Sequence, residues 1–130
     1  MEIVDTSVLI SGATPKGERT AISTVSIAEL HFGLLVAEGE ESARRAGLLG
    51  LIEARFPDPL PVDDRVAREW GRLKAAVAQR GERPRKRLAD LAIAATANVH
   101  GATLLTHNAK DFTIIEDLVD VRAAERERRN

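Results

Sequence analysis

Two adjacent β-branched residues, Ile3 and Val4, stop at a carboxylate, Asp5, and the short hydroxyl residues Thr6 and Ser7 follow. Such a run predicts a strand buried in a parallel sheet. Asp5 would then stand at the strand's carboxyl end, where α/β folds hold their ligands. The same side chain is as well placed to cap a helix over residues 6–11. Residues 12–17, with Pro15 inside, read as a loop, and residues 21–25 predict a second strand. From Ser26 the apolar positions change period: Ile27, Leu30, Leu34 and Leu35 fall at helical spacing, with Ala28 and Phe32 widening the stripe.

Gly39 is a natural stop for that helix, and Glu40-Glu41-Ser42 open another that runs from 43 to 56. Pro57, Pro59 and Pro61 break the chain, with Leu60 and Val62 offering a short strand between them. Asp63 is a good N-cap for an amphipathic helix over 64–79, whose buried stripe is Val66, Trp70, Leu73 and Val77. A turn over 81–84 leads to a helix over 88–100, ended by Gly101. A strand over 102–106 and a turn over 108–112 follow. Ile114-Ile115 and Leu118-Val119 predict one more short strand or packing segment. Strands alternating with helices predict an α/β domain on a parallel sheet with right-handed crossovers. Residues 1–125 read as a single domain and 126–130 as a charged, frayed tail.

Composition narrows the chemistry. At 130 residues the chain can bury a core, and without cysteine it has neither disulfides nor thiolate metal sites. A net charge of -1 gives no global attraction to nucleic acid, so local patches must supply any such contact. No run approaches the roughly 20 apolar residues of a membrane span. The amino terminus reads as a strand without a basic, apolar leader, which predicts a cytoplasmic protein.

Four carboxylates stand out. Glu29 falls in Ser26-Ile27-Ala28-Glu29, a capping-box pattern that would explain both residues without chemistry. It also stands at the amino end of a helix that follows a strand, beside the predicted end of strand one. Asp90 lies in Leu88-Ala89-Asp90-Leu91-Ala92-Ile93-Ala94-Ala95, a helix apolar nearly all round and therefore buried. A buried carboxylate needs a partner, either a cation such as Arg87 or a metal. Asp111 follows the strand ending at Thr106. All four could meet on one sheet edge, where their mutual repulsion calls for protons or a divalent ion. Oxygen donors without histidine or cysteine favour Mg²⁺ or Mn²⁺ over zinc, a site suited to phosphodiester hydrolysis. The densest basic run, residues 80–87, immediately precedes Asp90. Arg85, Lys86 and Arg87 there are candidate phosphate contacts, or simply a solvated turn.

Val4-Asp5-Thr6-Ser7, Ser26-Ile27-Ala28-Glu29-Leu30 with Gly33, residues 87–97, and Thr106-His107-Asn108-Ala109-Lys110-Asp111-Phe112 together resemble the PIN-domain ribonucleases. Among these the likeness is to the VapC toxins of toxin–antitoxin pairs, and it spans nearly the whole chain. The resemblance implies a three-layer α/β/α fold around a small parallel sheet. It implies a Mg²⁺-dependent endoribonuclease, with Mn²⁺ as a substitute and tRNA or rRNA as substrates. Asp5, Glu29, Asp90 and Asp111 would form the catalytic site, with Asp5 and Asp90 as metal ligands. Thr6, Thr106 and Asn108 would order it. Some PIN domains carry aspartate where this chain has Asn108. The family also implies a VapB-type antitoxin, a homodimer, and a heterotetramer or larger assembly with the antitoxin. The apolar helix over 27–37 is a candidate docking surface.

Other readings compete. A phosphoacceptor signalling domain would want a pair of adjacent acids after strand one, and Asp5 has no acidic neighbour. A non-catalytic PIN-like binding module would not need all four carboxylates. A DNA nuclease of the same fold shares the chemistry. The small size favours RNA.

Overall fold

Ile3 and Val4 are fully buried, on opposite faces of one strand, Glu2–Val4 (β1). In the computed structural model, which describes residues 1–12 and 19–125, this strand is central to a four-stranded parallel sheet. Its companions are Thr20–Ala21 (β2), Thr103–Thr106 (β3) and Val121–Ala123 (β4), in the order β2-β1-β3-β4. Ile3 registers with Ala21 on one side and Leu104 on the other. The helices are Thr6–Ser11 (α1), Thr24–Val36 (α2), Gly39–Arg55 (α3), Asp64–Gln79 (α4) and Leu88–Val99 (α5). Two 3₁₀ segments, Pro84–Arg87 and Ala109–Ile115, flank α5 and β3.

Strand alternation sorts the core into two layers. Ile3 and Leu104 join Val66, Leu73 and Val77 of α4 and Leu91 and Ile93 of α5. Val4 and Leu105 join Val8 and Leu9 of α1, Ile22, and Ile52 of α3. The result is the expected three-layer α/β/α arrangement. Each fully buried aliphatic side chain contributes about 1.5–3 kcal/mol. In α5 the fully buried Ala92, Ala94, Ala95 and Ala97 let the helix lie close to its neighbours. Asp63 accepts the Val66 N–H at 2.9 Å and starts α4 where its sequence predicts. Trp70 packs only at the core's edge, half-buried, with the Lys74 ammonium 4.5 Å from its ring centroid.

Two expectations shift and a third resolves. The second strand ends at Ala21, because the Ser23 hydroxyl accepts the Val25 N–H at 3.0 Å and starts α2 at Thr24. Short hydroxyl side chains favour such caps over a pleated ladder. Leu60 makes one parallel bridge to Ser23 and goes no further, since Pro59 and Pro61 bring no N–H to extend it. The last strand forms at Val121–Ala123, and of the two roles open to the apolar pairs upstream, strand or packing segment, they take the second, with Ile115 and Val119 in the core. Phe112 and Ile115, three apart on a 3₁₀ segment, bury on one side instead. Most of the predicted 12–17 loop and the whole 126–130 tail lie outside the described residues. Among the described residues, no helix is long and apolar enough to cross a membrane.

Candidate active site

Asp5 does both things its position allows. It caps α1, its Oδ1 accepting the Val8 N–H at 3.2 Å and the Ser7 hydroxyl at 2.6 Å. It also stands 4% exposed at the carboxyl end of β1, its backbone N–H donated to the Leu105 carbonyl at 3.0 Å. Both side-chain bonds fall on Oδ1. Among the described residues Oδ2 accepts none.

Glu29 is not part of a capping box. Ser23 is the cap of α2, so Ser26 and Glu29 lie within the helix. The Thr6 hydroxyl donates to Glu29 Oε1 at 2.6 Å and lies 2.9 Å from the Ser26 hydroxyl. The first turn of α1 thus holds the Glu29 carboxylate in place. Gly33, one turn further along α2, gives its carbonyl to Arg45 of α3 at 2.7 Å. A side chain at position 33 would crowd that guanidinium.

Asp90 sits in the first turn of α5, and its carboxyl is pushed up to about 6. Burial is the largest cause, followed by the negative charges of Glu29, Asp5 and Asp111. The four carboxylates therefore share one electrostatic neighbourhood at the carboxyl edge of the sheet. The Arg87 guanidinium opposes the shift without pairing to Asp90. It donates to the Asp111 carbonyl and lies 3.4 Å from Glu82. The ion-pair explanation of Asp90 therefore falls away, and its carboxylate has no hydrogen-bond partner among the described residues.

Asp111 is exposed on the 3₁₀ segment after β3, its N–H donated to the Asn108 carbonyl at 2.9 Å. Thr106, fully buried, accepts the Asn108 N–H at 3.0 Å through its hydroxyl. Thr106 and Asn108 thus fix the turn that carries Asp111, and Asn108 does so through its backbone. Arg85 and Lys86 are exposed beside the site, whereas Arg87 is half-buried and committed to its contacts.

The donor set fits a hard divalent cation: four carboxylates, one raised towards neutrality and lacking a partner, and an unoccupied Asp5 oxygen. The cluster is open. Among the described residues no three acids or histidines stand close enough together to hold a metal ion between them. Asp5 is the most buried of the four, Glu29 and Asp90 are half-buried, and Asp111 is exposed. A cleft of about 760 Å³ lies at the opposite, amino-terminal edge, lined by Glu69, Arg72, Asn98, Asp117 and Asp120 among others. Three of its acids are already engaged: Glu69 with Arg72, Asp117 with Arg80, and Asp120 with the Thr103 hydroxyl. It is not a counterpart of the acidic site.

Two contributors were hidden in the sequence. Ser7 carries the bond to Asp5, and its hydroxyl in turn accepts the His107 N–H at 3.1 Å. Ser26 backs Thr6. Adjacency to Asp5 could have flagged Ser7, but nothing in the sequence links it to a residue 100 positions away.

Comparison with known proteins places these features in a family. A model of the PIN domain matches residues 3–118. Ribonuclease VapC5 of Mycobacterium tuberculosis is 34% identical over 128 residues, covering 92% of this chain and 90% of the relative. Ribonuclease VapC4 of the same organism is 32% identical over 123 residues, covering 89% and 92%. A crystal structure of VapBC-5, a member of the VapBC family of toxin-antitoxin systems from that organism, superposes with a TM-score of 0.78 at 34% identity. It covers 94% of this chain and 95% of the matched chain.

Proposed function

The chain belongs to the PIN-domain family, and from that premise we propose that it is the VapC-type toxin of a toxin–antitoxin pair, a metal-dependent endoribonuclease. The observation that carries this reading is the convergence of Asp5, Glu29 and Asp111 on an unpartnered, half-buried Asp90. Asp5 and Asp90 would hold Mg²⁺, or Mn²⁺ in its place. When bound, the ion supplies a water of lowered pKa and a positive charge facing the scissile phosphate. Glu29, fixed by Thr6, and Asp111, carried on the turn that Thr106 and Asn108 hold, are placed to orient that water and to accept its proton. Arg85 and Lys86 would grip flanking phosphates, while Arg87 holds the Asp111 segment. RNA of the cytoplasm, tRNA or rRNA, is the proposed substrate.

The partner reading rests on α2. While Val25, Ile27 and Leu30 pack inward, the apolar residues of its second half turn outward: Phe32 is 68% exposed and Leu35 80%, with Val36 and, on α3, Leu51 also exposed. Exposed apolar side chains clustered on one helix are the composition of an interaction site. The likeness to a chain from a VapBC structure supports a VapB-type antitoxin as an occupant. Homodimerisation, with a heterotetramer or larger complex with antitoxin, completes the proposal.

The test is cleavage of a mixed tRNA and rRNA pool by antitoxin-free protein, with Mg²⁺, Mn²⁺ or EDTA, beside Asp5→Asn. Discrete fragments that need metal and vanish in the variant are expected. Intact RNA in every lane would leave a binding module.

A further inference from the structure

His107 touches α1 twice. Its backbone N–H donates to the Ser7 hydroxyl at 3.1 Å, and its ring Nε2 lies 3.0 Å from the Ser11 hydroxyl. Ser7 and Ser11 are four residues apart, one turn and about 6 Å along the helix. Residue 107 therefore spans a turn of α1 from outside, a hundred positions away in sequence. The Ser11 hydroxyl donates to the Val8 carbonyl at 2.7 Å, so the ring nitrogen is the donor in the His107–Ser11 bond. The other ring nitrogen, Nδ1, is buried and has no hydrogen-bond partner among the described residues.

Helix α1 is six residues long, too short to hold its own shape. Burial of Val8 and Leu9 presses it against the sheet, but apolar contact is non-directional and leaves its placement along the sheet edge loose. The Thr6 bonds to Glu29 and Ser26 direct its first turn, and the bonds from residue 107 direct the stretch from Ser7 to Ser11. The chain of contacts runs from His107 N–H to the Ser7 hydroxyl and from that hydroxyl to Asp5 Oδ1. Position 107 also lies between Thr106 and Asn108, whose bond sets the turn carrying Asp111. One residue thus couples the segment bearing Asp5 to the segment bearing Asp111.

We propose that His107 is a positioning residue: a two-point splint along α1 that sets the Asp5 carboxylate relative to Asp111. This rests on the reading of the acidic cluster as a metal-dependent nuclease site. The backbone bond survives every substitution but proline, so the ring bond to Ser11 is the part that side-chain variants test.

Glutamine places an amide N–H near the position of Nε2, whereas asparagine places one near Nδ1. Mg²⁺ titration by calorimetry, RNA cleavage kinetics and amide exchange at Val8 are measured for wild type, His107→Ala, His107→Asn and His107→Gln. Alanine and asparagine are expected to weaken Mg²⁺ binding about tenfold, in the range for residues that orient a metal ligand. They should lower kcat with KM for RNA unchanged, and speed exchange of the Val8 N–H that Asp5 accepts. Glutamine should restore all three. Ser11→Ala should match His107→Ala, and the double variant should be no worse than either. Equal Mg²⁺ affinity in wild type and His107→Ala, or equal behaviour of the glutamine and asparagine variants, would overturn the splint. A wild type that neither binds Mg²⁺ nor cleaves would overturn the nuclease reading instead. In that event unchanged Val8 exchange in His107→Ala would still overturn the splint, and faster exchange would uphold it.

Discussion

The Thr6 hydroxyl donates to Glu29 at 2.6 Å, tying the first turn of α1 to the middle of α2 across the sheet's carboxyl edge. The bond is short and charge-assisted, the stronger kind. Thr6→Val keeps the shape and removes it. Cleavage should fall about ten- to a hundredfold, the usual scale for losing a residue that orients a site. Stability should drop by only about 1–2 kcal/mol. Thr6→Ser should retain most activity. Rate assays beside thermal melts check this, and a valine variant of wild-type activity would remove Thr6 from the site.

Asp90 makes stability depend on pH in an unusual direction. Its carboxyl titrates near 6 in the folded protein, above the roughly 3.9 of an unfolded aspartate. Between those values the folded state holds the extra proton, so stability contributed below pH 4 is lost as pH rises through 6. The full displacement corresponds to about 3 kcal/mol, and solvent screening of this half-buried group reduces it to about 1–2 kcal/mol. In EDTA, Asp90→Asn should be more stable than wild type by that amount at pH 7 and equal to it at pH 4. Denaturant midpoints across the range decide the matter. A difference that does not change with pH would contradict the shift.

A cation that relieves the repulsion should reverse that ranking. Mg²⁺ or Mn²⁺ at about a hundred times its dissociation constant stabilises the folded state by about 2.7 kcal/mol. The melting temperature of wild type should rise accordingly, and EDTA should return it. Asp5→Asn and Asp90→Asn should show little response. Melting curves that ignore the metal would count against the acidic cluster as its site.

Leu35→Glu, on the exposed face of α2, removes nothing from the core. Its melting temperature and RNA cleavage should match wild type. Capture by a VapB-type antitoxin should be lost or fall at least a hundredfold, as for a central anchor of an interface. Titration of the two purified proteins measures it, and undiminished affinity would move the antitoxin to another face.

Arg85→Gln with Lys86→Gln should weaken RNA binding similarly for all sequences. It should also reduce the slope of log affinity against log salt by about 2. An unchanged slope would return this run to a solvated turn.

The sequence announces the fold wherever one physical demand dominates. The bounds of α4 follow from Asp63 and the Val66–Leu73–Val77 stripe, and β1 from two β-branched residues before Asp5. Of the four acids Asp90 is the most legible, because a carboxylate in an apolar helix requires an explanation. Where two demands compete, the sequence misleads. Ser23 could extend a strand or cap a helix, and the cap prevails. Ser26 and Glu29 mimic a capping box, yet their partner is Thr6, 20 and 23 positions away. Ile114-Ile115 reads equally as a strand or a packing segment until the spacing of Phe112 and Ile115 in the folded segment decides for packing. Ser7 and His107 are invisible for the same reason: their meaning lies in a contact that only the closed sheet creates.

That sheet also has a consequence for synthesis. Residues 2–4 pair with residues 103–105, so the first strand waits for nearly the whole chain before its central neighbour exists. Asp90 and Asp111 come from the final third, and the His107 splint from the same stretch. A nascent chain still held at the ribosome thus carries Asp5 and Glu29 without the groups that complete the cluster. A chain built in this order completes its acidic cluster only after Asp90 and Asp111 have been released and β3 has paired with β1.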